Sequence, residues 1–196
     1  TRISNAASLS GLALSNGTLS PGFASATKTY TASASNATTS MTVTPTVTDS
    51  TATVKVNGTT VTSGSASQSI PLVVGPNAIT TLVTAQDGTT TSTYTLTVTR
   101  APSAVSTLSA LALSEGTLSP TFASATYTYS ASVPNLTTSL QVTPTVTDTT
   151  ANVKVNGVTV ASGSPSASIP LIVGANTITV QSTAQDGTTK STYTIS

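Results

Sequence analysis

The 196-residue sequence predicts an all-β chain built as two tandem antiparallel β-sandwich domains. Three observations carry that expectation. Apolar residues alternate with Thr and Ser over short runs, the period of two expected of a strand with one buried face. The dipeptides Asn57-Gly58, Asp87-Gly88, Asn156-Gly157 and Asp186-Gly187 separate such runs and predict two-residue hairpins, whose turns need the positive φ that Gly tolerates. A shift of 99 positions lays the chain on itself without a gap, with about 70% of aligned positions identical. A unit of that size is a domain, because a solenoid repeat runs only about 20–50 residues.

Within one copy the elements follow in order. Leu9, Leu12 and Leu14 form a first strand, and Ser15 to Phe23 is a loop of turn formers in which Leu19 and Phe23 plug the core. Tyr30, Ala32 and Ala34 alternate with Thr and Ser in a second strand. Met41, Val43, Pro45 and Val47 alternate with Thr in a third. Pro45, like Pro144 in the second copy, cannot donate to a ladder, so this run belongs at a sheet edge or a bulge. Ala52 to Val61 is a hairpin about Asn57-Gly58. Ile70 to Val74, interrupted by Pro71, leads to Gly75-Pro76-Asn77, and Ile79, Val83 and Ala85 carry a strand into Asp87-Gly88. Tyr94, Leu96 and Val98 make the last strand. Seven or eight short strands with hairpin turns and no helical period describe a sandwich.

The boundaries expected are residues 1–7 as the tail of a preceding repeat plus linker, 8–100 as repeat 1, 101–107 as linker, and 108–196 as repeat 2. The last strand of repeat 2 is read as cut short beside Val98-Thr99-Arg100.

Composition excludes several function classes. Charged residues make up 6% of the chain, against about 25% in a typical domain, and the net charge is +1. Thr and Ser together supply about 40%, so the polar surface is one of hydroxyls. Nucleic acid is not expected as a partner, because no basic stretch is present to meet a phosphate backbone. Membrane insertion is not expected either, since no apolar run approaches about 18 residues. The absence of Cys removes disulfides, thiolate metal sites and cysteine nucleophiles.

Taken in order, L-x-x-L-x-L-S-x-G-x-L-S-P-x-F, a Y-x-A strand, A-x-V-K-V-N-G, I-P-L-x-V-G-x-N-x-I and T-A-Q-D-G-T-x-x-x-T-Y-T resemble the bacterial cadherin-like β-sandwich domain family. Both copies match over nearly their whole length. The resemblance implies Ig-like sandwiches, usually in tandem, in large extracellular surface or secreted proteins, and it implies no enzymatic activity. True cadherins hold Ca²⁺ between domains with clustered acidic ligands. Residues 101–107 contain no acidic residue, so no metal or other cofactor is expected.

With no His, catalysis would rest on the five carboxylates Asp49, Asp87, Glu115, Asp148 and Asp186, which are scattered through turns; no catalytic residue is assigned. Lys55 and Lys154 alternate outward, away from the apolar core in which a cross-link to Asn57 or Asn156 would form. Thr42, Thr44, Thr46 and Thr48 read as an ordinary strand face. The N-x-T sequons at Asn16, Asn36, Asn57 and Asn135 matter only in a glycosylating pathway. Tyr127, which replaces Lys28, is the single candidate binding residue, an outward aromatic for a sugar or cell-surface ligand.

The function expected is a structural repeat acting as spacer, stalk or filament subunit. The alternative is an adhesive or carbohydrate-binding module. The partners expected are neighbouring repeats, a glycan or cell-surface ligand, and further copies through terminal or edge strands.

Overall fold

The computed structural model describes residues 2–196 and divides the chain into two units, Thr1–Pro102 and Ser103–Ser196. Every regular element among the described residues is a strand. Unit 1 contains β1 (Leu9–Leu14), β2 (Thr29–Ala34), β3 (Ser40–Met41), β4 (Val43–Val47), β5 (Thr53–Val56), β6 (Thr59–Val61), β7 (Ile70–Pro71), β8 (Gly75–Thr84) and β9 (Thr91–Arg100). One layer is a five-stranded sheet in the order β2-β9-β8-β5-β6. The other consists of the two-stranded pairs β1-β4 and β3-β7.

Alternation places Tyr30, Val54, Val56, Ile79, Val83, Tyr94 and Val98 from the large sheet against Leu9, Leu12, Met41, Val43 and Val47 from the other layer. Each fully buried Val, Leu or Ile contributes about 1.5–3 kcal/mol, so this inner seam supplies the main drive to fold.

The leucine spacing of three and then two in β1 has a structural cause. The register against β4 shifts between Leu9 and Gly11, a β-bulge that returns Leu12 to the inner face. Leu19 and Phe23, from the loop that follows, pack half-buried against the core as the sequence implies. Gly17 in that loop has φ +79°, and a Cβ there would stand 2.8 Å from the Ser33 carbonyl oxygen, so no other residue fits.

Pro45 lies on an edge, as expected. Thr44 and Thr46 face β1, whereas Val43, Pro45 and Val47 turn their backbone groups to the segment 63–67. There the Val43 and Val47 N–H groups donate to the Ser67 and Ser63 hydroxyls at 3.0 Å each, and Gly64 N–H donates to the Pro45 carbonyl. Serine hydroxyls thus cover an edge that would otherwise offer free donors, and proline sits where one is already missing.

Two expectations need correction. The sheets are not wholly antiparallel: β2 runs parallel to β9. The loop after β1 carries the chain from one layer to the free edge of β9 in the same sense, and period-two alternation reads alike for either strand direction. Asp87-Gly88 is also not a two-residue turn. Ala85 N–H donates to Thr90 O, Gly88 N–H donates to Ala85 O, and only Gly88 of the pair has positive φ, +70°. A four-residue loop results, because the Asp87 carboxylate accepts from Thr89 N–H and Thr90 N–H at 2.9 and 2.8 Å and closes the wider turn. Asn57-Gly58 does form the expected two-residue hairpin, with φ of 46° and 81° at its centre and Val56 opposite Thr59.

Unit 2 repeats the plan with β10 (Leu108–Leu113), β11 (Thr128–Tyr129), β12 (Ser139–Leu140), β13 (Val142–Val146), β14 (Asn152–Val155), β15 (Val158–Val160), β16 (Ile169–Pro170), β17 (Ile178–Thr183) and β18 (Lys190–Ile195). Its large sheet has the order β11-β18-β17-β14-β15, with β11 parallel to β18. Three strands are shorter than their counterparts: β11 has two residues where β2 has six, and β17 and β18 have six where β8 and β9 have ten.

Candidate functional site: the clamps at the two ends of each unit

The near-identical TAQDGT stretches of the two copies act as clamps. In unit 1, Ser4 N–H donates to Gln86 Oε1 at 2.9 Å, and Asp87 N–H donates to Ser4 O at 3.2 Å. The Ser4 hydroxyl, beside the Asp49 carboxylate, works with the Thr51 N–H and hydroxyl to hold Asp49 below the usual carboxylate range. Unit 2 repeats the arrangement: Ser103 N–H donates to Gln185 Oε1 at 2.9 Å, and Asp186 N–H donates to Ser103 O at 3.0 Å. Its Asp148 is lowered by the Ser103 hydroxyl and by Thr150. Two turns, at Asp49 and Asp87 or at Asp148 and Asp186, therefore grip the leading segment of each unit by a single serine.

Tyrosine fastens the next stretch of chain. Tyr94 is buried, and its hydroxyl accepts from Leu9 N–H at 2.9 Å while donating to Ser25 O at 3.0 Å. Tyr193 makes the same pair of bonds to Leu108 N–H and Ser124 O, both at 2.9 Å. Burial is the main cause that raises the Tyr193 hydroxyl above its ordinary value.

At the far end of unit 1 the last strand is held in turn. Arg100 Nε and Nη2 donate to Asn36 O at 2.9 and 2.6 Å, and Nη1 donates to Leu72 O at 3.0 Å. Ala101 N–H donates to Ala34 O at 2.9 Å, and Asn36 Nδ2 donates to Ala101 O at 3.1 Å. Of the residues read as a linker, Ala101 is thus bonded into unit 1, while Ser103 is bonded into unit 2. Ser106, too, is buried in unit 2, its hydroxyl 2.8 Å from that of Ser191. Thr1, read with Arg2 as the tail of a preceding repeat, lies outside the described residues.

Tyr127 stands where unit 1 has Lys28, whose ammonium lies 3.8 Å from the centroid of the Tyr94 ring. The Tyr127 ring packs at 42° against Tyr193, centroids 5.1 Å apart, and is 43% exposed. It projects beside a buried tyrosine and is not presented as a free flat platform.

The four aspartates are engaged locally. Asp87 and Asp186 each accept from two backbone N–H groups and a threonine hydroxyl, which holds Asp186 at about 2. Among the described residues no three His, Cys, Asp or Glu side chains gather where a metal ion could sit. Two cavities of unit 2, one bordered by the segment after β11 and the segment before β17 and one by β15 and β16, have no Asp or Glu side chain in their lining. Lys55 and Lys154 face out of the sheet. Asn57 Oδ1 accepts Thr80 N–H at 2.9 Å, and Asn156 Oδ1 accepts Thr179 N–H at the same distance. Gln86, Gln185, Ser4 and Ser103 were missed by reasoning about chemistry. Their signal was there: Ser4 and Ser103 are the single identical pair between the first eight residues and the matching 100–107.

A protein of Evansella cellulosilytica named "Putative membrane protein" is 43% identical over 82 residues, covering 42% of this chain and 12% of that relative. The chain thus spans about an eighth of the length of the curated relative it matches. Among solved structures, the fibronectin(III)-like modules of Clostridium thermocellum CbhA align over 94% of this chain and 93% of theirs, at 13% identity and a TM-score of 0.26. The SGBP-B protein of the Bacteroides ovatus mixed-linkage glucan utilization locus, in complex with a mixed-linkage heptasaccharide, aligns over 95% of this chain and 70% of its own, at 14% identity and a TM-score of 0.23. Alignments this loose bear on neither fold nor function, and the fold rests on the strand order above. The model of the cadherin-like beta sandwich domain matches residues 6–101 and again 108–196. This chain belongs to the cadherin-like β-sandwich domain family and carries two tandem copies of that domain.

Proposed function

We propose that the chain is a non-catalytic structural repeat of an extracellular bacterial surface or secreted protein, serving as spacer, stalk segment or filament subunit. One observation supports this reading most. Each unit fastens its own leading segment through the Ser–Gln–Asp clamp, and unit 1 fastens its own trailing residue, Ala101, through Ala34 and Asn36. Pro102 is left as the one residue between the two sets of bonds, and its ring restricts φ. A connection with so little slack suits a part whose task is to set distance along a polymer. A surface of hydroxyls and few charges, and four aspartates committed to their own turns, support the absence of catalysis. Placement outside the cell agrees with the name of the Evansella cellulosilytica relative.

The test is small-angle scattering on the 196-residue chain and on a variant with six Gly/Ser residues inserted after Pro102. The inserted variant is expected to show a larger and broader distribution of interatomic distances. Superimposable profiles would mean that the native connection is already slack, and the spacer reading would fail.

A further inference from the structure

Three Asn-Gly pairs occur in the chain, Asn16-Gly17, Asn57-Gly58 and Asn156-Gly157, and the fold treats them differently. Glycine lacks the Cβ that would hinder its backbone nitrogen from reaching the amide carbon of a preceding asparagine, whereas every other asparagine of the chain is followed by a residue with a Cβ. In the two hairpins the amide is tied down. Asn57 Oδ1 accepts Thr80 N–H at 2.9 Å and lies 3.4 Å from the Thr80 hydroxyl, and Asn156 Oδ1 stands at the same distances from Thr179. These bonds hold each amide against the neighbouring strand, β8 or β17. Asn16 has no such tether. Its side chain is exposed, and neither its amide nor the Gly17 N–H enters a hydrogen bond among the described residues, although Ser15 beside it exchanges two bonds with Thr42 at 3.0 and 2.9 Å.

We propose that Asn16 is a self-modification site, converted to aspartate and isoaspartate without an enzyme, and that Thr80 and Thr179 protect Asn57 and Asn156 from the same reaction. The Gly17 nitrogen gives its proton to solvent and attacks Cγ of Asn16. The Cγ–Nδ2 bond breaks, ammonia leaves with a solvent proton, and a succinimide ring joins the two residues. One water then opens the ring at either carbonyl, leaving an aspartate or an isoaspartate link, with no change of oxidation state. Unit 2 is exempt at the matching place, because Glu115 precedes Gly116 there and already holds a carboxylate. Conversion of Asn16 thus gives unit 1 the charge that unit 2 is built with and cancels the formal net charge of +1. The isoaspartate link also routes the main chain through an extra methylene, in a loop where a Cβ on Gly17 would already stand 2.8 Å from the Ser33 carbonyl oxygen. Unit 1 therefore carries a one-way record of its age.

The test ages the 196-residue chain in mildly alkaline buffer, folded and in concentrated urea, and follows tryptic peptides by liquid chromatography and mass spectrometry. Cleavage after Arg2, Lys28, Lys55, Arg100, Lys154 and Lys190 puts the three Asn-Gly pairs on separate peptides, residues 3–28, 56–100 and 155–190. In the folded chain the peptide 3–28 is expected to yield the acid forms at least about tenfold faster than the other two, the factor set by a hydrogen bond that must break before the ring can close. In urea the three should react at similar rates, since the tethers are gone. Fragment spectra and an Asn16→Gln variant separate Asn16 from Asn5 on the same peptide; conversion that survives in the variant would overturn the assignment. Asn57 or Asn156 keeping pace with Asn16 in the folded chain would show that the threonine tethers do not protect. A folded chain that leaves 3–28 intact while urea releases all three would show that the loop backbone itself blocks the reaction, and the site would be struck out.

Discussion

The most direct test of the packing argument exchanges one buried residue between the units. Val83 in β8 is fully buried and sits opposite Ser92; its counterpart in β17 is Ser182, equally buried and opposite Ser191. The Ser182 hydroxyl has no hydrogen-bond partner, because Ser191 is taken by Ser106. An unsatisfied buried hydroxyl costs about 1–3 kcal/mol. Each methyl group that Val adds in its place gains about 0.8 kcal/mol, partly offset by crowding, since this pocket is lined for the smaller residue. Ser182→Val should therefore stabilise unit 2 by about 1–3 kcal/mol. The reverse change, Val83→Ser, should cost unit 1 about 2–4 kcal/mol, since it loses both methyls and creates the orphan. With no Trp and five Tyr shared between similar units, bulk optical melting would blur the two. Site-resolved amide exchange at Val180 and Tyr193 for unit 2, and at Ile79 and Leu96 for unit 1, separates them. Each 1.4 kcal/mol changes the exchange rate of a globally protected amide about tenfold. A Val83→Ser variant that exchanges within about twofold of the parent, or a Ser182→Val variant that exchanges faster, would refute the reasoning.

Two further outcomes follow from the clamps. Tyr94→Phe keeps the ring but removes the hydroxyl, leaving Leu9 N–H and Ser25 O without their partner; unit 1 should lose about 2–4 kcal/mol in urea unfolding. Tyr127→Phe, at a ring with no hydrogen bond through its hydroxyl, should change stability by less than about 0.5 kcal/mol, and a similar loss in both variants would show that the hydroxyl is not what matters. Asp186 is held at about 2 by the Thr189 hydroxyl and the Thr188 and Thr189 N–H groups, against an ordinary value of 3.8. Its contribution to the turn is thus fully present above about pH 4 and disappears as pH falls through about 2. Following the Asp186 carboxyl and the Thr189 amide by NMR should give a shared midpoint near 2; a midpoint near 3.8 would mean that the turn does not hold the carboxylate.

The strand pattern was legible in the sequence because burial in a sandwich is recorded every second residue. Val54 and Val56, Met41 and Val43, and Tyr94, Leu96 and Val98 all lie where alternation puts them. Pro45 announced its edge by chemistry alone, lacking a donor where neighbouring donors are met by Ser63 and Ser67. Asn57-Gly58 announced its hairpin because both residues must adopt positive φ, whereas Asp87-Gly88 misled because a carboxylate can organise a wider loop around itself.

What the linear sequence determined by itself was local and periodic: which residues face inward, where the chain turns, and that the unit occurs twice. Tertiary structure alone decided what depends on pairings between distant segments. The parallel β2–β9 pair and the grip of Gln86 and Asp87 on Ser4 about eighty residues away are of this kind. None leaves a mark in local alternation, because hydrogen bonds between distant backbone groups depend on how strands are arranged, which the side-chain period does not encode.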